Sequence, residues 1–292
     1  MGQLSEAIKS KRNITEIAIP GSHDCGTCNL DKKSPVGHDV AEILQTLGNN
    51  PCLGPLTKKI MYGWSRTQHT IIQDQLMLGI RYFDIRLSKL DKRFRFLHCL
   101  YGDDVFESLE VIRLFLEQHQ GEIVILDFQS IRDCSDKDQA VIIEKIHTTF
   151  GDMLMEKPSV FPTIGEMQKL DKRVIVIYDT VISQDYGYLW PRSECENPWA
   201  NTMDMTYLFQ FLIDETSKRT KGKLFVTQAI MTPQTSTIVL KPWSSLFSDT
   251  RRLRETLPTW IQNELAKLDP NIVMTDFVSE TINPSIIVSL NQ

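Results

Sequence analysis

The 292-residue chain carries a formal net charge of −5, which argues against a broad nucleic-acid-binding surface. Its hydrophobic share of 41% and charged share of 24% are those of an ordinary globular protein, and no apolar run reaches the roughly 18 residues needed to cross a bilayer. Six cysteines are too sparse for a disulfide scaffold, so we expect a cytoplasmic protein with reduced thiols.

The first predicted strand covers residues 12–19 and ends at Pro20-Gly21, a pair that stops a strand and turns the chain. Ser22, His23 and Asp24 are therefore expected just beyond a strand end, where α/β proteins keep their chemistry. A histidine there can move protons near neutral pH. Taken alone, the stretch favours a solvated turn with an incidental histidine.

Beyond an irregular stretch at 25–63, helical spacing and apolar runs alternate along the chain. Helices are predicted at 68–78, 106–119, 138–150, 203–216 and 250–268. Strands are predicted at 80–87, 94–98, 122–128, 173–179, 186–190, 223–228 and 271–277. This alternation predicts a single α/β domain over residues 1–292, built as a closed TIM-type (β/α)8 barrel with a parallel sheet buried on both faces.

Polar side chains follow several of these strands, and a barrel brings such strand ends together at one mouth. Asp84 and Arg86 lie two residues apart and share a face, and His98 ends a row of aromatic residues. Asp276 ends the eighth strand, which neighbours the first in a closed barrel. The expected cluster is His23, Asp24, Asp84, Arg86, His98 and Asp276. The alternatives are an Asp84–Arg86 structural ion pair, a core imidazole at His98 and a helix cap at Asp276.

Two histidines, carboxylates that orient them and one arginine form a recognisable chemical set. One imidazole can take a proton from a nucleophilic hydroxyl, and the other can give a proton to a leaving oxygen. The arginine offers two parallel N–H groups to the charge that develops on a phosphoryl group. The substrate that suits this set is a phosphodiester with a hydroxyl of its own nearby.

Several strings resemble the X domain of phosphatidylinositol-specific phospholipase C. They are Ile19-Pro20-Gly21-Ser22-His23-Asp24, the segment 79–87, and His98 followed by Tyr101-Gly102. Further similar segments lie at 32–35, 64–68, 189–191, 199–202 and 273–277. The resemblance is closer to the proteins that contain the X domain but lack PH, C2 and Y regions, and it runs from about Ile14 to the C-terminus.

The resemblance implies a somewhat irregular TIM-type barrel with its site at the C-terminal mouth, and it implies roles for the six mouth residues. His23 resembles the family residue that acts as general base for the inositol 2-hydroxyl, and Asp276 resembles the carboxylate that orients this histidine. His98 resembles the family residue that acts as general acid for the diacylglycerol oxygen, and Asp24 resembles the carboxylate that assists this histidine. Arg86 matches the arginine that stabilises the phosphoryl transition state, and Asp84 matches the carboxylate beside it.

The same resemblance bears on substrate and metal. An arginine at position 86 stands where calcium-dependent members need a calcium ligand, so we expect no cofactor, with a calcium-dependent phosphodiesterase as the alternative. Gln129, Tyr178 and Asp179 are the expected headgroup contacts, although Gln129 is neither the acidic ligand nor the bacterial lysine. That departure keeps a weakly active lipid- or partner-binding barrel as a further alternative. The expected partner is a phosphoinositide or related phospholipid headgroup at a transient membrane surface, with the protein peripheral to the membrane.

The cysteines suggest two further points. Cys25 and Cys28 have the spacing of a zinc clip, but the other cysteines are isolated, so free thiols are favoured over a metal site. Cys25 is expected on the mouth loop, where an inert apolar role is favoured and a reactive thiol is the alternative. Cys99 is expected to face the helices, because neighbouring strand residues point to opposite faces.

Overall fold

Strands and helices alternate along most of the chain in a computed structural model that describes residues 1–2 and 4–292. The strands are β1 Ile19–Ser22, β2 Tyr82–Leu90, β3 Arg93–His98, β4 Leu100–Asp104, β5 Val124–Arg132, β6 Val174–Ile177, β7 Leu189–Trp190, β8 Cys195–Glu196, β9 Leu224–Gln228 and β10 Ile272–Thr275. The α-helices are α1 Glu6–Lys9, α2 Glu42–Asn49, α3 Gly54–Ser65, α4 Ile72–Leu78, α5 Val105–Gln118, α6 Asp136–Phe150, α7 Ile164–Lys169, α8 Met205–Ser217, α9 Thr235–Leu240, α10 Leu246–Asp249, α11 Arg251–Asn263, α12 Val278–Thr281 and α13 Ser285–Ser289. Short 3₁₀ helices lie at Thr27–Asn29, Gly151–Met153, Val181–Asp185, Arg192–Glu194 and Leu265–Leu268.

The sheet confirms the predicted α/β barrel of TIM type. Eight strands follow one another in the order β7-β6-β5-β2-β1-β10-β9-β8, and each neighbouring pair is parallel. The path begins and ends with the two-residue strands β7 and β8, which are joined through Pro191 and a short 3₁₀ helix rather than a crossover α-helix. Among the described residues β7 and β8 do not pair with each other, so the sheet is open at this point and the barrel is irregular. Within the described residues, no helix combines the length and apolar character needed to span a bilayer.

The first strand differs from its predicted position, because Pro20 and Gly21 lie inside β1 rather than after it. The carbonyl of Pro20 accepts the N–H of Arg81, so the missing N–H of the proline faces β2, where pairing begins only at Gly21 and Tyr82. Gly21 is required by close packing, since a Cβ there would lie 3.0 Å from the Tyr82 ring and 3.2 Å from Ile272. The strand therefore tolerates both residues and still ends just before His23.

The predicted third barrel strand at 94–98 is instead β3 of an antiparallel hairpin. Asp91 and Lys92 have positive φ angles of 48° and 65°, as in a tight type I′ turn. A two-residue connection can join only antiparallel strands, so β3 folds back on β2 and pairs with β4 on its other side. The eighth strand of the barrel path is β8, which the sequence analysis did not predict.

The stretch at 25–63, predicted to be irregular, contains the helices α2 and α3. Its Gly, Pro and Asn residues lie mostly before α2 and around the junction of the two helices, with Pro55 in the first turn of α3. Ile60, Met61 and Trp64 fall on one side of α3, which accounts for its packing against the rest of the protein. The two helices stand over the mouth of the barrel.

The alternation of β2 places the candidate residues. Phe83 and Ile85 point outward to the helices, in the core that also contains residues of α5 and α6. Tyr82 points into the barrel, where it packs with residues of β1, β5, β9 and β10. Asp84 and Arg86 share the face of Tyr82, so they lie above this apolar interior at the carboxyl ends of the strands.

Candidate active site

His23 stands at the centre of the site, immediately after β1. Its backbone N–H donates to the carbonyl of Thr275 on β10 over 3.2 Å, and its Nδ1 lies 2.7 Å from Oδ1 of Asp276. Its Nε2 lies 3.0 Å from Nη2 of Arg86. Because arginine can only donate, this geometry fits a neutral imidazole with its proton on Nδ1, directed to Asp276, and a lone pair on Nε2.

Thr67 and Gln68 hold the loops that carry His23 and Asp276. Gln68 is fully buried, and its Nε2 donates to the carbonyls of His23 over 2.9 Å and of Thr275 over 3.1 Å. Its Oε1 accepts the N–H of Val278 over 3.0 Å. The Thr67 hydroxyl lies 3.2 Å from the His23 carbonyl. The sequence analysis noted this segment only as part of a resemblance and assigned it no role.

Asp24, Asp84 and Arg86 form a compact charged group beside His23. Arg86 Nη2 donates to Oδ2 of Asp84 over 3.0 Å, and its Nε lies 2.7 Å from Oδ1 of Asp24. The Asp24 backbone, held at φ 41°, donates its N–H to Asp84 over 3.1 Å. Both carboxylates are 1% exposed, whereas the Arg86 side chain is 33% exposed. The two buried carboxylates therefore fix one side of the Arg86 guanidinium, and its other side is exposed.

His98 reaches the same group from the hairpin. Its Nδ1 lies 2.7 Å from the carbonyl of Ser65, at the end of α3, and 3.3 Å from Oδ2 of Asp24. Both contacts use Nδ1, so a protonated His98 retains the N–H at Nε2 for another acceptor. Ser65 was not among the predicted residues, because its contribution is a main-chain carbonyl that no side-chain pattern reveals.

The charges within this group shift the pKa values of its members. Burial opposes protonation of His23, but the carboxylates of Asp24 and Asp276 outweigh it and raise the pKa of the imidazole. Burial likewise opposes ionisation of Asp24, but Arg86, His98 and His23 outweigh it and lower the pKa of that carboxyl. Asp24 and Asp84 outweigh the burial of Arg86 and raise the pKa of its guanidinium, which stays charged.

These shifts predict the pH dependence. A general base at His23 must be neutral, so activity falls as the pH drops through its raised pKa, and we expect the acid limb of kcat/KM above pH 6.5. Asp276→Asn removes one cause of the increase and should move the limb to lower pH, besides reducing the rate. The measurement is kcat/KM against pH on a water-soluble substrate. Asp133→Asn, which removes the carboxylate from surface His38, is the matched control. A limb that stays in place or moves upward in Asp276→Asn contradicts this prediction.

A cleft of about 720 Å³ opens above the group and is called the mouth cleft. His23, Arg86, His98 and Gln129 are among its polar lining residues. Its walls are largely apolar and come from α2, α3, the stretch after β8 and the segment 230–246. The apolar lining includes Leu44, Leu47, Ile60, Met61, Trp64, Trp199, Ile230, Met231, Ile238, Val239 and Leu246. The cleft can therefore take a molecule that has one polar end and a large apolar remainder.

The three predicted headgroup residues have different positions. Gln129 lines the mouth cleft, but its Nε2 donates to Oδ2 of Asp127 over 2.8 Å. Tyr178 is fully buried in the core against Phe128, with ring centroids 5.2 Å apart. Asp179 is exposed beyond β6. The structure brings only Gln129 of the three to the cleft lining, and binding of substrate by any of them stays a prediction.

Arg192 was not predicted and holds the residues below Gln129. Its Nη1 and Nη2 donate to the two oxygens of buried Asp127 over 2.8 and 2.6 Å, and its backbone N–H donates to Asp179 over 3.1 Å. The Tyr82 hydroxyl also donates to Asp127, over 2.6 Å. Asp127 lies in β5, and its bonds to the Tyr82, Gln129 and Arg192 side chains indicate a structural role.

Of the two cysteines predicted near the mouth, Cys25 fits the favoured inert role, whereas the orientation predicted for Cys99 is wrong. Cys25 is buried in the core beside Phe96, and burial raises the pKa of its thiol well above the usual range. Cys99 is partly exposed and lines the mouth cleft, and burial raises the pKa of its thiol to about 12. Cys99 has a left-handed φ of 59° between β3 and β4, so the alternation of an extended strand does not apply there.

Three side chains of the site could be considered for a metal. His23, Asp24 and Asp84 can each place one ligand atom within 4.8 Å of the others. Calcium takes six to eight oxygen ligands, whereas this set offers two carboxylates and a nitrogen. Arg86 already contacts all three side chains at 2.7 to 3.0 Å. The donor set therefore fits the guanidinium and does not fit calcium.

Comparison with known proteins agrees with the fold. The family profile described as "Phosphatidylinositol-specific phospholipase C, X domain" matches residues 55–179. The structure of phosphatidylinositol-specific phospholipase C from Listeria monocytogenes matches with a TM-score of 0.69 at 18% identity, covering 100% of this chain and 97% of that one. The F249X mutant of the Staphylococcus aureus enzyme matches with a TM-score of 0.68 at 13% identity, covering 100% and 96%. At these identities the structural likeness concerns the fold.

The fold and family features define a barrel of the phospholipase C type. The mouse PI-PLC X domain-containing protein 3 is 34% identical over 301 aligned positions, which cover 100% of this chain and 92% of the mouse protein. The human PI-PLC X domain-containing protein 2 is 36% identical over 231 positions, covering 77% and 74%. The chain belongs to the family of PI-PLC X domain-containing proteins.

Proposed function

We propose that the protein is a metal-independent phosphodiesterase of the phospholipase C type that cleaves a phosphoinositide or a related lipid phosphodiester. The observation that carries this proposal is the placement of two imidazoles beside one fixed guanidinium and the Asp24 carboxylate that it contacts. His23 contacts Arg86 at 3.0 Å, and His98 and Arg86 both contact Asp24, at 3.3 and 2.7 Å. All three side chains line the mouth cleft.

The geometry supports an in-line transfer between the two histidines. The substrate phosphate binds the open side of Arg86, and Nε2 of His23 takes the proton of a headgroup hydroxyl. That oxygen forms a bond to phosphorus, the bond from phosphorus to the diacylglycerol oxygen breaks, and protonated His98 gives its proton to the leaving oxygen. The products are a diacylglycerol and a cyclic phosphodiester, which water can open by the same steps with the roles of the histidines reversed. Arg86 stabilises the charge on the phosphoryl oxygens throughout.

The rim of the mouth cleft supports a lipid substrate. Large apolar side chains are exposed on α2, α3, α9 and the segment that follows α9, among them Ile43, Leu53, Val239, Leu240 and Trp243. Leu240 is 81% exposed and Trp243 is 71% exposed. Exposed leucine and tryptophan side chains around an apolar cleft are typical of proteins that dip into the headgroup region of a membrane. This rim would let a lipid enter the cleft without passing through water.

We expect the protein to release diacylglycerol and a cyclic inositol phosphate from phosphatidylinositol vesicles, at the same rate with and without the chelator EGTA. The reason is that Arg86 supplies the fixed positive charge that calcium would otherwise supply. Product release is measured by chromatography, and His23→Ala prepared in parallel controls for contaminating activity.

Two other outcomes would contradict the proposal. Loss of activity in chelator, restored by added calcium, would favour the calcium-dependent phosphodiesterase. Tight binding of the vesicles with no product from any phosphoinositide would favour a lipid-binding barrel, an alternative that Gln129 supports because its amide is held by Asp127.

A further inference from the structure

Helix α3 has two chemically different sides. Ile60, Met61 and Trp64 line the mouth cleft. Lys58, Tyr62 and Arg66, where Arg66 directly follows the helix, are spaced four residues apart and therefore lie along another side. The catalytic proposal makes use of the first side only. The second side has no part in the site described above.

Cations from two segments meet on this second side. The Nζ of Lys32 lies 4.6 Å from the centre of the Tyr62 ring, and the guanidinium carbon of Arg66 lies 5.7 Å from it. The Nζ of Lys58 donates to the carbonyl of Ser34 over 2.6 Å, which ties the helix to the loop that carries Lys32. We call Lys32, Lys58, Tyr62 and Arg66 the α3 cation cluster.

The charges of this cluster are not balanced within the protein. Among the residues that the structure describes, its three cations form no ion pair with a carboxylate. The nearby carboxylate of Asp31 accepts the backbone N–H of Lys33 over 2.7 Å. The Nε of Arg66 is buried without a hydrogen-bond partner. Buried N–H groups are nearly always paired, so this unpaired donor indicates an acceptor that the protein itself does not supply.

The surroundings favour a membrane as the source of that anion. Leu53 and Leu56, at the start of the same helix, are 49% and 46% exposed, and the mouth cleft lies on its other side. A helix that combines exposed leucines with lysine and arginine beside an aromatic ring has the composition of an interfacial helix. The whole chain has a net charge of −5 and is repelled by an anionic surface unless cations are concentrated where it touches.

We propose that the α3 cation cluster is a second, non-catalytic binding site for the phosphate of an anionic phospholipid. Lys32 and Arg66 would bind the phosphate oxygens above the edge of Tyr62, and the leucines would enter the headgroup region beside it. The site rests on the proposed membrane contact but does not depend on catalysis by the two histidines. It fixes the protein on the membrane with the mouth cleft beside the bound lipid.

The test is binding of the full chain to vesicles of phosphatidylcholine alone and of equimolar phosphatidylcholine and phosphatidylserine, measured by flotation. We expect preference for the anionic vesicles, and a loss of about tenfold or more in that preference for Lys32→Gln with Arg66→Gln, since each basic residue near an anionic surface contributes about fivefold. Lys32→Gln with Lys33→Gln, both exposed loop side chains, is a second variant that leaves Arg66 in place. It should lose part of the preference and cleave a water-soluble substrate normally.

The matched control is Lys11→Gln with Lys221→Gln, which removes two exposed cations from the segments that precede β1 and β9, at the opposite end of the barrel. Equal loss in the control pair would mean a general charge effect and would overturn the site. Unchanged vesicle preference in both cluster variants would overturn it as well. Binding of soluble glycerophosphoserine as tight as binding of the vesicles would assign the cluster to a free anion. Because the readout is binding, an inactive protein can still support the proposal.

Discussion

Replacing His23 or His98 with alanine should lower kcat by about 10²-fold or more, because each substitution removes one proton transfer of the proposed reaction. His23→Ala leaves Asp276 and Arg86 in place but removes the imidazole between them. Without this base the headgroup hydroxyl keeps its proton. His98→Ala leaves the leaving oxygen without an acid. Both side chains border the mouth cleft, so their truncation removes little packing in the core.

The two losses should differ with the substrate. A substrate whose leaving group needs no proton, such as a nitrophenyl ester of inositol phosphate, should restore much of the activity of His98→Ala and none of that of His23→Ala. His147→Ala is the matched control, because His147 is exposed and packs against the ring of Tyr188 at 5.6 Å, away from the cleft. Normal turnover in His23→Ala, with the fold intact by circular dichroism, would exclude the proposed base.

The sequence was sufficient to predict which residues meet at the mouth, because that meeting depends on two simple regularities. Alternation along a strand places Asp84 and Arg86 on one face, and Arg86 indeed donates to Asp84. Closure of a parallel barrel places the last strand beside the first, and β10 pairs with β1, so that Asp276 reaches His23 at 2.7 Å. Both regularities hold for backbone alone and need no knowledge of side-chain packing.

What the sequence could not predict depends on tertiary partners. Tyr178 directly follows a strand, which is where a residue that binds the headgroup is expected. Its aromatic ring nevertheless packs against Phe128 in the core, where it is more stable than in the cleft. The amide of Gln129 is bound by Asp127, whose other bonds come from residues far along the chain. Of the two thiols predicted near the mouth, Cys99 is accessible and Cys25 is not, because Cys99 itself has a left-handed backbone directly after β3. Single positions of this kind are decided by contacts that no local pattern encodes.

Replacing Arg86 with lysine should lower kcat by about 10²- to 10³-fold, although the charge is kept. The guanidinium makes three contacts at once, with Asp24, Asp84 and Nε2 of His23. A lysine has one nitrogen on a flexible stem and cannot offer two parallel N–H groups to a phosphoryl group while it holds the same carboxylates. KM should change less than kcat, because the lost interactions strengthen as charge develops in the transition state.

Because the lysine still neutralises two buried carboxylates, Arg86→Lys should fold, and the midpoint of thermal unfolding should remain close to that of the unmodified protein. The matched control is Arg113→Lys on α5, an arginine outside the mouth cleft whose Nε donates to the Glu110 carboxylate over 3.0 Å, and it should keep full activity. Steady-state kinetics on phosphatidylinositol, together with the unfolding curves, separate a loss of chemistry from a loss of structure. If Arg86→Lys retains the kcat of the unmodified protein, the planar fork is not needed and Arg86 acts only as an ion-pair partner of Asp24 and Asp84.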